Sequence, residues 1–216
     1  VWMGKKNKVD AHVDQDFYLT IGKRKKNTIK AILEYNGPIE APIQKNDKIG
    51  ILKIYIEDEA KLEFANITKK KNPSEQIHHC TANLNANAEL IYHAVDIAGK
   101  LIKNNYCINL NKSGSSCYFN GFNTANNKDH IDNYIEIHHN DKHTTSNLNY
   151  NIISNNSSKS ILFAKAIIKK DSSNCEAYQN NKNIILSKKS LIHSNPQLEI
   201  YNDDVKCSHG SATGQI

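Results

Sequence analysis

From about residue 57 onward the chain is written in short alternating apolar and polar stretches separated by polar corners. YCINL (106–110), SCYFNGF (116–122), NYIEIH (133–138), LNYNII (148–153), SILFAKAII (160–168), NIILS (183–187) and LEIY (198–201) each read as a strand. The separators are rich in Asn, Ser, Gly and His, and no amphipathic helical period is sustained between them. Many short strands with polar corners predict a sandwich, a barrel or a β-helix. The asparagine corners favour the β-helix. Asn tolerates left-handed bends, and its amides stack in ladders from one rung to the next.

The first 56 residues have a different texture. FYLTI (17–21), TIKAILEY (28–35) and ILKIYI (51–56) are strand-like, and Leu52, Ile54 and Ile56 alternate with Lys53 and Tyr55. That alternation suits a sheet with one wet face. The intervening KRKKN, NGP and QKND are turn-forming. Residues 1–56 are therefore expected to form a small β-sandwich, with residues 57–216 as a second unit.

Composition narrows the function. The 216 residues carry a net charge of +6, but Arg24 is the sole arginine. A surface that reads nucleic acid normally uses arginine for bidentate contacts, so the charge alone does not predict nucleic-acid binding. No apolar run approaches the ~18 residues of a membrane span, and the opening residues lack the apolar core of a signal peptide. Five cysteines, at 80, 107, 117, 175 and 207, form neither a disulfide framework nor a zinc ribbon. Reduced thiols and a cytoplasmic location fit best. No phosphate-binding glycine loop is present, so any ATP requirement falls to another chain.

Two constellations carry candidate chemistry. His130, His138, His139 and His143 cluster within fourteen residues, and imidazoles suit iron or zinc. On a strand, however, His138 and His139 point to opposite faces, and Asn140-Asp141 argues against a helix that would align His139 with His143. A hydrogen-bonding turn that caps stacked strands explains this group better than a metal site. In the second constellation, Cys207 and His209 lie two apart beside Asp203 and Asp204, after the strand LEIY. In an extended segment both side chains face one way and can present a thiol and an imidazole jointly. A buried thiol with a capping histidine is the competing reading. Cys175 reads as incidental, and Cys80, Cys107 and Cys117 read as core thiols. The acids Glu199, Asp203 and Asp204 read as solvated turn formers without a catalytic role.

These stretches resemble the SufB/SufD family of iron–sulfur cluster assembly scaffolds, SufD in particular. The carrying segments are CYFNGFN (117–123), HIDNYIEIHHNDKHTTSNLNY (130–150), FAKAIIKKDSSNCEAYQNNKNIILS (163–187) and PQLEIYNDDVKCSHGSATGQ (196–215), in family order and spacing. The resemblance implies an all-β fold, a right-handed parallel β-helix, over about 57–216. It implies a non-enzymatic scaffold that pairs with a SufB-like paralogue and works with a SufC-like ATPase. His209 first and Cys207 second would then lie at the partner interface, where an iron–sulfur cluster is held transiently and no cofactor stays bound. By the same resemblance, the chain stops before the helical segment that docks the ATPase.

Residues 1–56 resemble instead the C-terminal β domain of low-molecular-mass penicillin-binding proteins, the D-alanyl-D-alanine carboxypeptidases. VWMGKKNKV (1–9), FYLTI and EAPIQKNDKIGILKI (40–54) carry that likeness, with Asn46 where that family usually has glycine. The nucleophile motif Ser-x-x-Lys of their catalytic half is absent from this chain. Such a joining of two families is expected to mark a fusion or a misassembled gene. Two alternatives to the scaffold reading follow: a non-catalytic remnant of a cell-wall carboxypeptidase, or a stand-alone metal-binding β-protein using His130, His138 and His143.

Overall fold

The computed structural model describes residues 18–20, 29–34, 51–69, 75–97 and 99–216. They form fourteen strands and no helix: β1 (Tyr18–Thr20), β2 (Ile29–Glu34), β3 (Ile51–Ile56), β4 (Lys61–Lys69), β5 (Glu75–Leu84), β6 (Glu89–Ile97), β7 (Leu101–Leu110), β8 (Ser116–Ala125), β9 (His130–His139), β10 (Thr145–Ser154), β11 (Lys159–Ile168), β12 (Cys175–Ile185), β13 (Leu191–Ile200) and β14 (Val205–Gln215). No helix among the described residues is long and apolar enough to cross a membrane.

Successive strands alternate between two sheets. One runs β1-β4-β6-β8-β10-β12-β14 and the other β13-β11-β9-β7-β5-β3-β2. From β3 to β14 every neighbouring pair is parallel, while β1 on β4 and β2 on β3 are antiparallel. The body is thus the parallel β-helix that the asparagine corners predicted, each rung contributing one strand to each sheet. Neighbouring rungs pair in unbroken register, as in Thr145 to Ser154 opposite Ser116 to Ala125. That register stacks like on like along the helix axis.

The alternation seen in the sequence is the alternation of inside and outside. In β9 and β11 every second residue is buried. Leu84, Leu90, Leu110, Phe119, Ile135 and Tyr150 are fully buried in one continuous core. An aromatic cluster fills its middle. Tyr92 and Phe119 stack with centroids 5.1 Å apart and planes 5° from parallel, and Tyr106 sets its edge on both. Such offset and edge contacts are favoured by the ring quadrupole. Tyr150 fits because its register partner is Gly121: a Cβ there would lie 2.0 Å from a Tyr150 ring carbon.

The corners explain the asparagines. Along one edge of the helix Glu59, Asn87, Gly114, His143 and Asn174 all have positive φ, and along the other Asn127 and Asn156 do. The left-handed region is reached most readily by Gly and Asn. Corner backbones then bond rung to rung, as in Asn87 N–H to Ser113 C=O at 3.0 Å and His143 N–H to Ser173 C=O at 2.9 Å. Side-chain amides add ladders: Asn140 donates to Asn111 at 2.9 Å, and Asn111 to Asn83 at 3.4 Å. Gly114 is required where it stands. With φ of 75°, a Cβ would also meet Asn87 Oδ1 at 2.1 Å.

The expected division at residues 56/57 falls between two strands of the body. β3 pairs with β5, and β1 with β4, so the described strands of the first segment hydrogen-bond into both sheets. The rest of the sandwich expected for 1–56, including VWMGKKNKV, lies outside the described residues.

The interior also holds charge-bearing groups. Asp96 on β6 is 1% exposed and accepts a hydrogen bond from Asn104 Nδ2 at 2.9 Å. Burial raises its carboxyl to about 6, against hydrogen bonds from Thr68 and Asn104 that lower it. A carboxyl raised on folding takes up a proton, so its destabilisation is absent below the unfolded value of 3.8 and complete above 6. His139 is 0% exposed, its ring nitrogens engaged by the hydroxyls of Thr144 at 2.7 Å and Ser146 at 2.8 Å. Burial lowers it to about 4, so it costs stability as pH falls from 6.5 toward 4. The two slopes oppose in one window. Burial lowers His78 to about 4 as well, so Asp96→Asn is expected to raise neutral-pH stability by on the order of 2–3 kcal/mol and to leave the combined slope of His139 and His78. Urea midpoints between pH 4 and 7 read this directly. A pH profile identical to that of the unsubstituted chain would refute it.

Candidate functional site

Strands β13 and β14 make up the last described rung. β14 pairs with β12 on one side, β13 pairs with β11, and neither has a further strand neighbour among the described residues. Unpaired backbone edges of this kind invite a partner strand. Apolar side chains are exposed around them: Leu191 at 52%, Ile200 at 44% and Tyr201 at 61%. Other exposed apolar side chains, such as Ile77 and Tyr118, lie on earlier rungs.

Both sequence-predicted site residues sit on this strand. Cys207 and His209 pair in register with Ala177 and Gln179 of β12, and alternate positions share one face. Their separation along the strand is about 7 Å. Val205 and Cys207 pack on a small apolar cluster of Ala166, Ile168, Cys175, Ala177 and Leu198. Past Cys207 the facing interior turns polar. Ser211 donates to Asn181 Oδ1 at 2.9 Å, and Asn183 donates to Thr213 at 3.1 Å. Cys207 is consequently half-buried, whereas His209, one step further along the same face, is exposed.

Burial pushes the Cys207 thiol upward, opposed by a backbone hydrogen bond from Ala177. The group is therefore a neutral thiol at ordinary pH, and becomes a thiolate ligand only when a metal or cationic partner displaces its proton. Asp203 and Asp204 form the turn that launches β14. Asp204 N–H bonds Asn202 Oδ1 at 2.9 Å, and Asp204 Oδ2 accepts from Asn174 at 2.8 Å. They are turn formers, as their sequence pattern indicated.

The histidine cluster disperses. His138 faces outward and His139 inward, where its hydroxyl partners hold it. His143 is exposed at a positive-φ corner. His130 begins the same strand that ends near His138, about 26 Å away. His130, His138 and His143 therefore share no ion. The thiols also separate. Cys80, Cys117 and Cys175 are buried, and burial raises Cys80 to about 12 and Cys117 further. Cys175 is held between the Thr144 hydroxyl at 3.1 Å and the Asp141 carbonyl at 3.4 Å.

Cys107 corrects its expected place in the core. It lies on the outer face of β7, half-buried, because the alternation of that strand sends Tyr106 and Ile108 inward. There it meets Glu136 and His138 of β9. Local sequence reading missed this group, since its members come from different rungs. The signal that finds it is the rung repeat itself, which sets Cys107 opposite Glu136.

A family profile described as the SUF system FeS cluster assembly, SufBD core domain, matches residues 19–216. The chain belongs to the SufBD family. The match begins at residue 19 and so takes in most of the segment that resembles the carboxypeptidase β domain. The chain is also similar to an iron–sulfur cluster assembly SufBD family protein of Synechocystis, 23% identical over 77% of this chain and 37% of that relative. It is similar to the iron–sulfur cluster assembly protein SufD of Escherichia coli, 25% identical over 64% of this chain and 34% of that relative. It thus spans about a third of the length of either SufBD relative.

The thiol environments in this SufBD chain predict an order of reactivity. Under native reducing conditions Cys207 and Cys107 are expected to alkylate with iodoacetamide. Cys80, Cys117 and Cys175 should react only after denaturation. Peptide mass spectrometry resolves the five sites, and equal labelling of all five in the folded chain would contradict the burial described.

Proposed function

We propose that this chain is the β-helical body of a SufD-type scaffold, acting in the cytoplasm in iron–sulfur cluster assembly. In this reading its last rung docks a SufB-like paralogue, within a complex driven by a SufC-like ATPase. His209 first and Cys207 second face the joint between the two chains, where a cluster is held transiently. The chain supplies position and accessory donors, and its partner supplies the principal thiols.

One observation carries the reading: Cys207 and His209 share one face of β14, a strand paired only to β12 among the described residues, within the span that the SufBD core profile matches. A thiol and an imidazole about 7 Å apart on one face are too far apart to enclose a cluster alone. They suit a site completed from across an interface. Soft sulfur and borderline nitrogen donors are the ligands that iron and sulfide chemistry requires. The exposed Leu191, Ile200 and Tyr201 supply apolar area for the joint, and the free edges of β13 and β14 supply backbone groups for strand addition.

Co-expression with the SufB-class and SufC-class proteins of the same genome tests this. The chain is expected to co-purify with both. Thr213→Pro, which removes an edge-strand N–H, should weaken pairing. His209→Ala should leave pairing intact while iron and acid-labile sulfide in the reconstituted complex fall several-fold, and Cys207→Ser should have a smaller effect. Absence of any association, or full cluster loading in the His209→Ala, Cys207→Ser double variant, would overturn the proposal.

A further inference from the structure

A second donor set lies on the outer face of the other sheet, away from β14. Cys107 Sγ, a Glu136 carboxylate oxygen and a His138 ring nitrogen all lie within 4.8 Å of one another. Cys107 and Glu136 are register partners on β7 and β9, and His138 follows Glu136 by two positions on the same face. All three side chains are half-buried. Two rigid, fully paired strands therefore hold three different ligand chemistries together, a thiol, a carboxylate and an imidazole.

The orientation of Glu136 is fixed. Tyr134 O–H donates to its Oε1 at 2.6 Å, leaving Oε2 toward His138 Nε2 at 3.4 Å. A carboxylate pinned through one oxygen by a neighbouring hydroxyl, with the other turned toward a second donor side chain, has the supporting contact that metal-binding carboxylates use. The lysine opposite Glu136 in register, Lys165, is engaged by Glu199 of β13. Asn109, opposite His138, places its Oδ1 3.9 Å from the Cys107 sulfur and is itself tied to Asn83 by a 3.2 Å hydrogen bond. Cys107, Tyr134 and Glu136 also wall an open surface depression of about 200 Å³ that reaches His79 and Thr81, which gives an ion a route in.

The geometry points to a site for a divalent transition-metal ion of the zinc type, with Cys107, Glu136 and His138 as its three protein ligands. Sulfur, nitrogen and oxygen donors together select a borderline-soft ion over calcium or magnesium. Metal–ligand bonds of about 2.0–2.3 Å imply a tetrahedral edge near 3.5 Å. The 4.8 Å limit on the donor separations thus closes by rotamer adjustments on the order of an ångström. Three protein ligands leave the fourth position to water or an incoming group. On binding, the Cys107 proton leaves to solvent and the ion gains a thiolate, with no change in oxidation state. The site is independent of the terminal rung and of the assembly role proposed for it.

The test is equilibrium titration of the full, reduced, metal-free chain with Co²⁺ and Zn²⁺. One Co²⁺ per chain is expected, with ligand-field bands of a tetrahedral site, a sulfur-to-cobalt charge-transfer band, and displacement by Zn²⁺. Cys107→Ser should abolish the charge-transfer band. Cys107→Ser and His138→Ala should each lower affinity by at least roughly tenfold, and Glu136→Gln by a similar factor. His138→Cys, which restores a soft donor, should recover binding with a stronger charge-transfer band, separating loss of a ligand from loss of fold. Cys207→Ser should titrate like the unsubstituted chain. Binding unaffected by Cys107→Ser, binding lost in Cys207→Ser, or no stoichiometric binding would each overturn the proposal, and none of these results bears on co-purification with SufB-class or SufC-class partners.

Discussion

Each rung of this protein is tied to its neighbours by parallel backbone ladders, and the rest of the structure depends on those ladders staying in register. The bonds run strand to strand from β3 to β14 without a break. Because side chains alternate, a slip of one residue in any rung would turn its core face outward. Closed corners prevent that slip. Left-handed residues at seven of the described turns, several of them bonded to the turn of the next rung, fix the points at which those strands start. Asn serves this position because it reaches the left-handed region and its amide then adds to the ladder.

The same ladders make the interior selective. An inward side chain meets its register neighbours in the rungs on either side, so size must be matched across rungs. Gly121 beneath Tyr150 is one such match, and the Tyr92–Phe119 stack is another. Polar interior residues obey the same rule by bonding along or across the helix. Asn104 joins Asp96 to Asn133, and Asn183 reaches Asn181 and Thr213. Buried polar groups placed this way keep most of their hydrogen bonds, while the ionised form of Asp96 still carries a desolvation penalty.

The last described rung differs from those before it. Its strands β13 and β14 each have one parallel neighbour among the described residues, where β5 to β12 have two, and His209 on β14 is exposed. Cys175 and Cys117 point inward into packed core and are buried, whereas Cys207, also inward, packs against the edge of a small apolar cluster and is half-buried. The outer face of the second sheet gains its donor cluster from equal register. Cys107 and Glu136 are neighbours because two rungs have matching phase.

The residue pattern alone narrowed the fold to a sandwich, a barrel or a β-helix, with the asparagine corners favouring the last, and the SufD resemblance implied the parallel β-helix. The pattern also determined that His138 and His139 part company, since strand geometry sends neighbours to opposite faces, and that Cys207 and His209 share one, for the same reason. The segments carrying the SufD likeness named the family. The tertiary structure decided what local pattern cannot. That Cys107 lies outside the core follows from the phase of β7. Its meeting with Glu136 and His138 follows from register across a rung. The exposure of His209 follows from its place on β14, which has one strand neighbour among the described residues. Each is a relation between residues distant in the chain, set by how rungs stack, and the order of residues expresses it only once the repeat is known.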